Sequence, residues 1–157
     1  MPDGYNYTVG PNGVFLFSSG SEGVRYFVDK FGSQLCQALS GSGIFFATAV
    51  AQKCQESAYG TSHAARTMNN YGGIMYNGVL ASFATPMDCF NKYVETLLAA
   101  NHKYVQKGLL TAKTPYLQML AIAQGGYCTN PPASVYYSRI TPTIRTVLNM
   151  YSLGKIS

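Results

Sequence analysis

Charge is what this sequence has least of. Charged residues make up 11% of the 157, with 6 Asp and Glu against 11 Lys and Arg. A surface so poor in charge must be wetted by Tyr, Asn, Ser, Thr and Gln, and Tyr alone numbers 13. Such side chains suit contact with sugars. The basic residues are spread along the chain instead of forming a stripe with interleaved aromatics, which speaks against a nucleic-acid partner. The formal charge of +5 would draw in an anionic polymer, and bacterial cell wall qualifies.

Other features are missing too. The four cysteines, Cys36, Cys54, Cys89 and Cys128, form no CxxC pair, so no zinc site is expected. Their even number permits two disulfides and requires none. No window approaches the 18 or so consecutive apolar residues of a membrane helix, so no membrane insertion is expected. The opening "MPDGYNYTVGPNG" has neither a basic nor an apolar region and does not read as a signal peptide. Work outside the cytoplasm would then need another delivery route. No repeat, linker or second domain is visible. The hydrophobic fraction of 47% is enough for one packed domain.

What is present reads as mainly α with a small β-hairpin, an α+β chain. Residues 1–20, rich in Gly, Pro, Asn and Ser, read as an irregular lead-in, followed by a single domain over 21–157. Val24, Phe27, Val28, Phe31, Leu35 and Leu39 recur at helical spacing from about Ser21 to Leu39. A second helix over about 43–58 begins "GIFFATAVA", apolar on every side, and should be the central buried rod. "GGIMYNGVLASFA" predicts two short strands around Asn77-Gly78. Thr85-Pro86-Met87-Asp88 and Thr114-Pro115 are helix starts, predicting helices to about Ala100 and Ala123. The last helix, about 134–152, contains Pro142, which should kink or split it.

The central helix ends on Glu56, with no cation evident beside it. Desolvation at such a place raises a carboxyl pKa, which suits a general acid protonating a departing sugar oxygen. The residues around it strengthen that reading. "QESAYGTSHAARTMNNYGGI" resembles the core motif of the family 73 glycoside hydrolases, bacterial endo-β-N-acetylglucosaminidases of the lysozyme-like superfamily. The match runs through Glu56, Ser57, Ala58, Tyr59, Gly60 and Ser62, then Asn69, Asn70, Gly73 and Ile74. "FATPMDCFNKYVETL" and "GYCTNPP" with its closing helix resemble two further blocks in the same order, so that the resemblance covers about 44–153.

The resemblance implies a lysozyme-like domain that cuts the β-1,4 bond after N-acetylglucosamine in peptidoglycan glycan strands. It implies Glu56 as catalytic acid and Tyr127 as a second catalytic residue at the cleft. Tyr59, Asn70, Tyr71, Tyr76 and Asn130 are candidate substrate-binding residues, although Asn69 and Asn70 also suit a structural role at the exit from the helical region. His63 is a weaker candidate contact. The hairpin, Gly72 to Ala84, holds none of the further acids that family members commonly carry there. Asp88 is the candidate second acid, although helix capping also accounts for it. Without one, water held by amides and hydroxyls, the substrate's acetamido group, or a non-hydrolytic transglycosylase route would complete the reaction. A muramidase, a lytic transglycosylase and a non-catalytic wall-binding domain stand as alternatives. No cofactor or metal is expected. The chain is expected to be a monomer, secreted or delivered to the periplasm or cell wall as an antibacterial effector or lysin. A cognate inhibitor or immunity protein is a candidate partner.

Overall fold

The computed structural model describes residues 3–151. Helices carry the architecture. Helix α1 (Gly20–Leu39) starts on the Ser19 hydroxyl, which accepts the Glu22 N–H at 3.1 Å, with Glu22 in the first turn to meet the helix dipole. Its buried face is Val24, Phe27, Leu35 and Leu39, as the periodicity predicts. Helix α2 (Phe46–Ser57) runs through the middle of the molecule, packed against α1, α5 (Pro115–Gln124) and α6 (Ala133–Tyr151). Every residue from Ala47 to Cys54 is buried, and the far end of the rod reaches the surface at the exposed Gln55 and the partly exposed Glu56.

The end of α2 is built by three successive left-handed residues, Ala58 (φ 49), Tyr59 (φ 59) and Gly60 (φ 85). They turn the chain sharply into α3 (His63–Met68), a short helix capped by Ser62 that the sequence did not suggest. Two of the three are not glycine, so the turn is held by its surroundings. The Ser57 hydroxyl accepts the Gly60 N–H at 2.9 Å, and the Tyr59 ring lies on Gly23 of α1.

The predicted hairpin is present. Strands β3 (Met75–Tyr76) and β4 (Val79–Leu80) pair antiparallel, Met75 with Leu80 and Tyr76 with Val79. Asn77 (φ 52) and Gly78 (φ 79) form the tight turn whose two positive φ values match strand twist. Helix α4 (Pro86–Leu98) then starts on the Thr85 hydroxyl and buries Cys89, Phe90, Tyr93 and Leu97 against α1. Helix α5 is capped in the same way by Thr114.

Two expectations are corrected. The described part of the expected irregular lead-in, residues 3–20, is ordered around a hairpin: β1 (Tyr7–Val9) and β2 (Phe15–Phe17) pair antiparallel. Tyr7 stacks on Phe15 at 4.0 Å, Phe17 meets Tyr59 at 5.5 Å, and the Phe15 N–H donates to the Thr61 hydroxyl at 3.0 Å. Aromatic packing on the α2–α3 turn therefore gives the short strands a place in the domain. Of the kink or split expected at Pro142, the split is absent, since the last helix is continuous as α6. Tyr136, Ile140, Ile144 and Val147 lie buried on both sides of the proline, and that packing outweighs the cost of an interior proline, about 3 kcal/mol for the lost backbone bond and the ring clash together. The cysteines stand unpaired, Cys54 and Cys89 in the core and Cys36 exposed. Among the described residues no helix is long and apolar enough to cross a membrane.

Candidate active site

Glu56 sits where α2 leaves the core, its side chain 15% exposed. The sequence reading of a carboxylate without a cation is wrong. One turn earlier on the same face, Lys53 brings Nζ to 3.5 Å from Glu56 Oε2, and the lysine side chain is wholly buried. That amine also lies 3.4 Å from the Tyr127 hydroxyl and 3.9 Å from the centre of the Tyr93 ring, a cation–π distance.

The other carboxyl oxygen ends a directed chain of hydrogen bonds. Tyr93 donates to Gln52 Oε1 at 2.6 Å, Gln52 Nε2 donates to the Tyr136 hydroxyl at 3.0 Å, and Tyr136 donates to Glu56 Oε1 at 2.6 Å. Gln52 and Tyr93 are fully buried on α2 and α4, and Tyr136 comes from α6. Three helices therefore fix one carboxyl group. Burial lifts the Glu56 carboxyl above its ordinary pKa, and it prevails over the opposing pull of Lys53 and the Tyr136 hydroxyl. Burial likewise pushes the Tyr93, Tyr127 and Tyr136 phenols up, with the Glu56 charge adding to it.

Beside this group lies a cleft of about 430 Å³ lined by the hairpin residues Gly72 to Tyr76, by Lys92, Tyr93 and Thr96 of α4, and by Tyr104, Gly126 and Tyr127. Three of its wall residues touch the Lys53–Glu56 pair, Tyr93 through the face of its ring. Tyr127 does so through its hydroxyl. Gly72 does so by having no side chain: a Cβ there would lie 2.7 Å from Lys53 Nζ and 3.6 Å from Glu56 Oε2. A larger cavity of about 580 Å³, walled by α1 and the start of α2, holds no acidic or basic side chain.

The sequence-named residues divide between the cleft and the core. Tyr127 and the exposed Tyr76 line the cleft, Tyr127 stacked on Tyr136 at 6.1 Å. Tyr59 does not reach it, since its ring is packed on Gly23 and Phe17. Tyr71 is 4% exposed between Phe31 and Phe90, which leaves no face for a sugar. Asn70 is buried and clamps the hairpin: its amide nitrogen donates to the Ile74 and Ala81 carbonyls, and its oxygen accepts the Gly72 and Ile74 N–H groups. All its polar capacity is spent on backbone. Asn130 is exposed outside the cleft lining, its carbonyl meeting the Cys128 thiol. His63 is exposed at the start of α3.

Asp88 is exposed in the first turn of α4, one turn before Lys92, and does not line the cleft. The remaining acids are engaged elsewhere. Glu22 pairs with Arg25, Asp29 accepts from Tyr5, Asp3 accepts from Tyr7, and Glu95 pairs with Lys92. Among the described residues no three His, Cys, Asp or Glu gather as a metal site.

Lys53, Gln52, Gly72, Tyr93 and Tyr136 escaped the sequence reading. The i, i+3 spacing of Lys53 and Glu56 was the available signal for the first. The tyrosines reach Gln52 from 41 and 84 positions away and have no local signal.

Comparison with known proteins bears on the fold and the family. The model of a family described as mannosyl-glycoprotein endo-beta-N-acetylglucosaminidase, the glucosaminidases, matches residues 33–149. No curated protein matches the chain. The glycoside hydrolase domain of Salmonella typhimurium FlgJ superposes with a TM-score of 0.66 at 18% identity, over 82% of this chain and 91% of that one. The catalytic domain of the Listeria monocytogenes autolysin Auto does so with 0.64 at 18% identity, over 86% and 88%. A type VI secretion system effector–immunity complex from Pseudomonas protegens contains a chain with 0.60 at 18% identity, over 78% and 92%. At these identities the likeness is one of fold, that of lysozyme-like glucosaminidase domains.

Proposed function

The chain belongs to the glucosaminidase family and is a glycoside hydrolase, and from that premise we propose that it cleaves peptidoglycan glycan strands at the β-1,4 bond after N-acetylglucosamine, with Glu56 as the proton donor. The observation that carries the assignment is the Glu56 carboxyl itself. It is held by three helices at the edge of the cleft, 15% exposed, with burial favouring the protonated form at the start of the reaction.

In this reading Glu56 gives its proton to the glycosidic oxygen as the bond from that oxygen to the sugar C1 breaks. Paired-carboxylate glycosidases place a second acid within about 5–10 Å to attack the sugar or activate water. None of the described acids lines the cleft, and Glu56 is the one that stands against its wall, at Gly72 and the Lys53–Tyr127 contact, so in this reading the second role falls to the substrate. Its acetamido oxygen closes on C1, and water then opens the resulting ring and returns a proton to Glu56. In this reading Tyr127, a residue of the cleft wall, orients that acetamido group through its hydroxyl. The fold likeness to FlgJ and to Auto supports a cell-wall substrate.

The likeness to a chain from an effector–immunity complex supports a second element of the reading. The protein acts as a monomer outside the cytoplasm, in the periplasm or wall of a competitor, and an immunity protein would block the cleft.

Zymography on purified peptidoglycan with mass spectrometry of the fragments tests the proposal. Reducing-end N-acetylglucosamine is expected. A muramic acid end would make the enzyme a muramidase, an anhydro end a transglycosylase, and intact strands a wall-binding domain. Glu56→Gln should lower cleavage by about 10²–10⁴-fold; activity above about a tenth of wild type would remove Glu56 from the role.

A further inference from the structure

A lysine with no exposed side-chain surface is rare, and the reason for this one is local. The Lys53 amine lies between two oxygens, Glu56 Oε2 at 3.5 Å and Tyr127 Oη at 3.4 Å, with the face of Tyr93 at 3.9 Å on another side. Gly72 closes the remaining approach so tightly that even a methyl group would collide with the amine. Resting on the proposed role of Glu56, we propose that Lys53 is a positioning residue of the reaction, a buried cation that bridges the carboxyl group and the Tyr127 hydroxyl and governs release of the Glu56 proton.

The geometry explains why a lysine suits this place. Both oxygen contacts are longer than the 2.7–2.9 Å or so of a tight charge-assisted bond. The amine is therefore held by the ring and by the closed packing, and acts on Glu56 mainly as a charge. When Glu56 gives up its proton, negative charge appears on the carboxyl group whose Oε2 faces the amine, and the amine stabilises that product. Lys53 thus opposes the burial that favours protonated Glu56, and the carboxyl remains able to let its proton go.

Few other charges bear on the pair. The titratable groups facing it from the packed elements are Cys89 and Tyr93 of α4, Tyr104 beyond α4, Tyr127 before α6 and Tyr136 within α6. Burial pushes all five up, so none is ionised where a carboxyl titrates.

The test is a carbon-13 NMR titration of the whole chain labelled at Glu side-chain carboxyls, with the Glu56 signal assigned through Glu56→Gln. In Lys53→Met the Glu56 midpoint should rise by about one pH unit or more, the lower end of what an opposite charge at this range does. The alkaline limb of peptidoglycan cleavage should rise with it. An unchanged midpoint overturns the proposal. A readout on wild type alone covers the case in which Lys53→Met fails to fold. In lysine-labelled protein the Lys53 Cε signal should move with the Glu56 midpoint, and an indifferent Lys53 signal again overturns the proposal. Both titrations read Glu56 without substrate. A wild type that leaves peptidoglycan intact would therefore sink the proposed function, while the titration still decides for or against the bridge.

Discussion

Tyr136→Phe removes one oxygen atom and leaves the packed ring, which makes it a sharp probe of how Glu56 is held. The lost hydroxyl has two duties: it donates to Glu56 Oε1 at 2.6 Å and accepts from Gln52 Nε2 at 3.0 Å. A hydrogen bond to an ionised group contributes about 1.5–3 kcal/mol, and an orphaned buried donor such as the Gln52 amide costs about 1–3 kcal/mol. The two losses share one network, so at a pH where Glu56 is ionised the variant should be less stable by about 2–4 kcal/mol. The penalty has a pH signature. The Tyr136 donor favours ionised Glu56 and so lowers a carboxyl pKa that burial has raised above its ordinary 4.5. Its stabilisation is present where Glu56 is ionised and disappears as pH falls through the raised folded value. At low pH only the Gln52 loss should remain. The variant's Glu56 holds its proton to higher pH, so the alkaline limb of cleavage should move upward. Urea unfolding of both proteins across a pH series, beside a rate profile, measures all of this. A penalty independent of pH would refute the reasoning, because the hydroxyl would then be serving Gln52 alone.

Three further variants probe other walls of the site. Gly72→Ala places a methyl group 2.7 Å from Lys53 Nζ; it should cost about 1–3 kcal/mol by overpacking and lower turnover by on the order of tenfold to a hundredfold through the displaced pair, as turnover and melting measurements would show. Tyr127→Phe keeps the ring stacked on Tyr136 and loses the hydroxyl at Lys53, so turnover should fall with little change in melting temperature; unchanged turnover would make Tyr127 a packing residue. Asp88→Asn should change stability by about 1 kcal/mol or less, as a first-turn helix acid does, and leave cleavage nearly intact, while a loss beyond a hundredfold with the fold preserved would make it the second acid.

The helices were legible because their ends are written locally. Thr85-Pro86 and Thr114-Pro115 announce their helices, and Val24, Phe27, Leu35 and Leu39 mark a face. Glu56 was legible for a related reason: a polar residue that ends an apolar run marks the edge of a core. Lys53 was missed because a lysine inside such a run suggests exposure, and only the arrival of Glu56, Tyr93 and Tyr127 makes its burial tolerable. The assignments of Tyr59 and Tyr71 to the cleft failed because adjacency to a motif does not fix the direction of a ring. Tyr59 points down at Gly23 through a left-handed turn that no residue type announces. The first hairpin was hidden by strands three residues long, whose alternation is too brief to stand out beside their glycines.

The hydrogen-bond chain from Tyr93 to Glu56 also has a polarity. Each of its hydrogens points toward the carboxyl group, and its middle link is a carboxamide. Hydroxyls pass protons along readily, whereas an amide could do so only through its imidic acid tautomer, so Gln52 is an insulator in the wire. Through this chain the interior orients Glu56 and conducts no proton to it. A deprotonated Glu56 must therefore recharge from the cleft side, by the water that opens the acetamido ring. The step that finishes one cleavage then also readies the acid for the next, and it waits on water entering a cleft that still holds sugar.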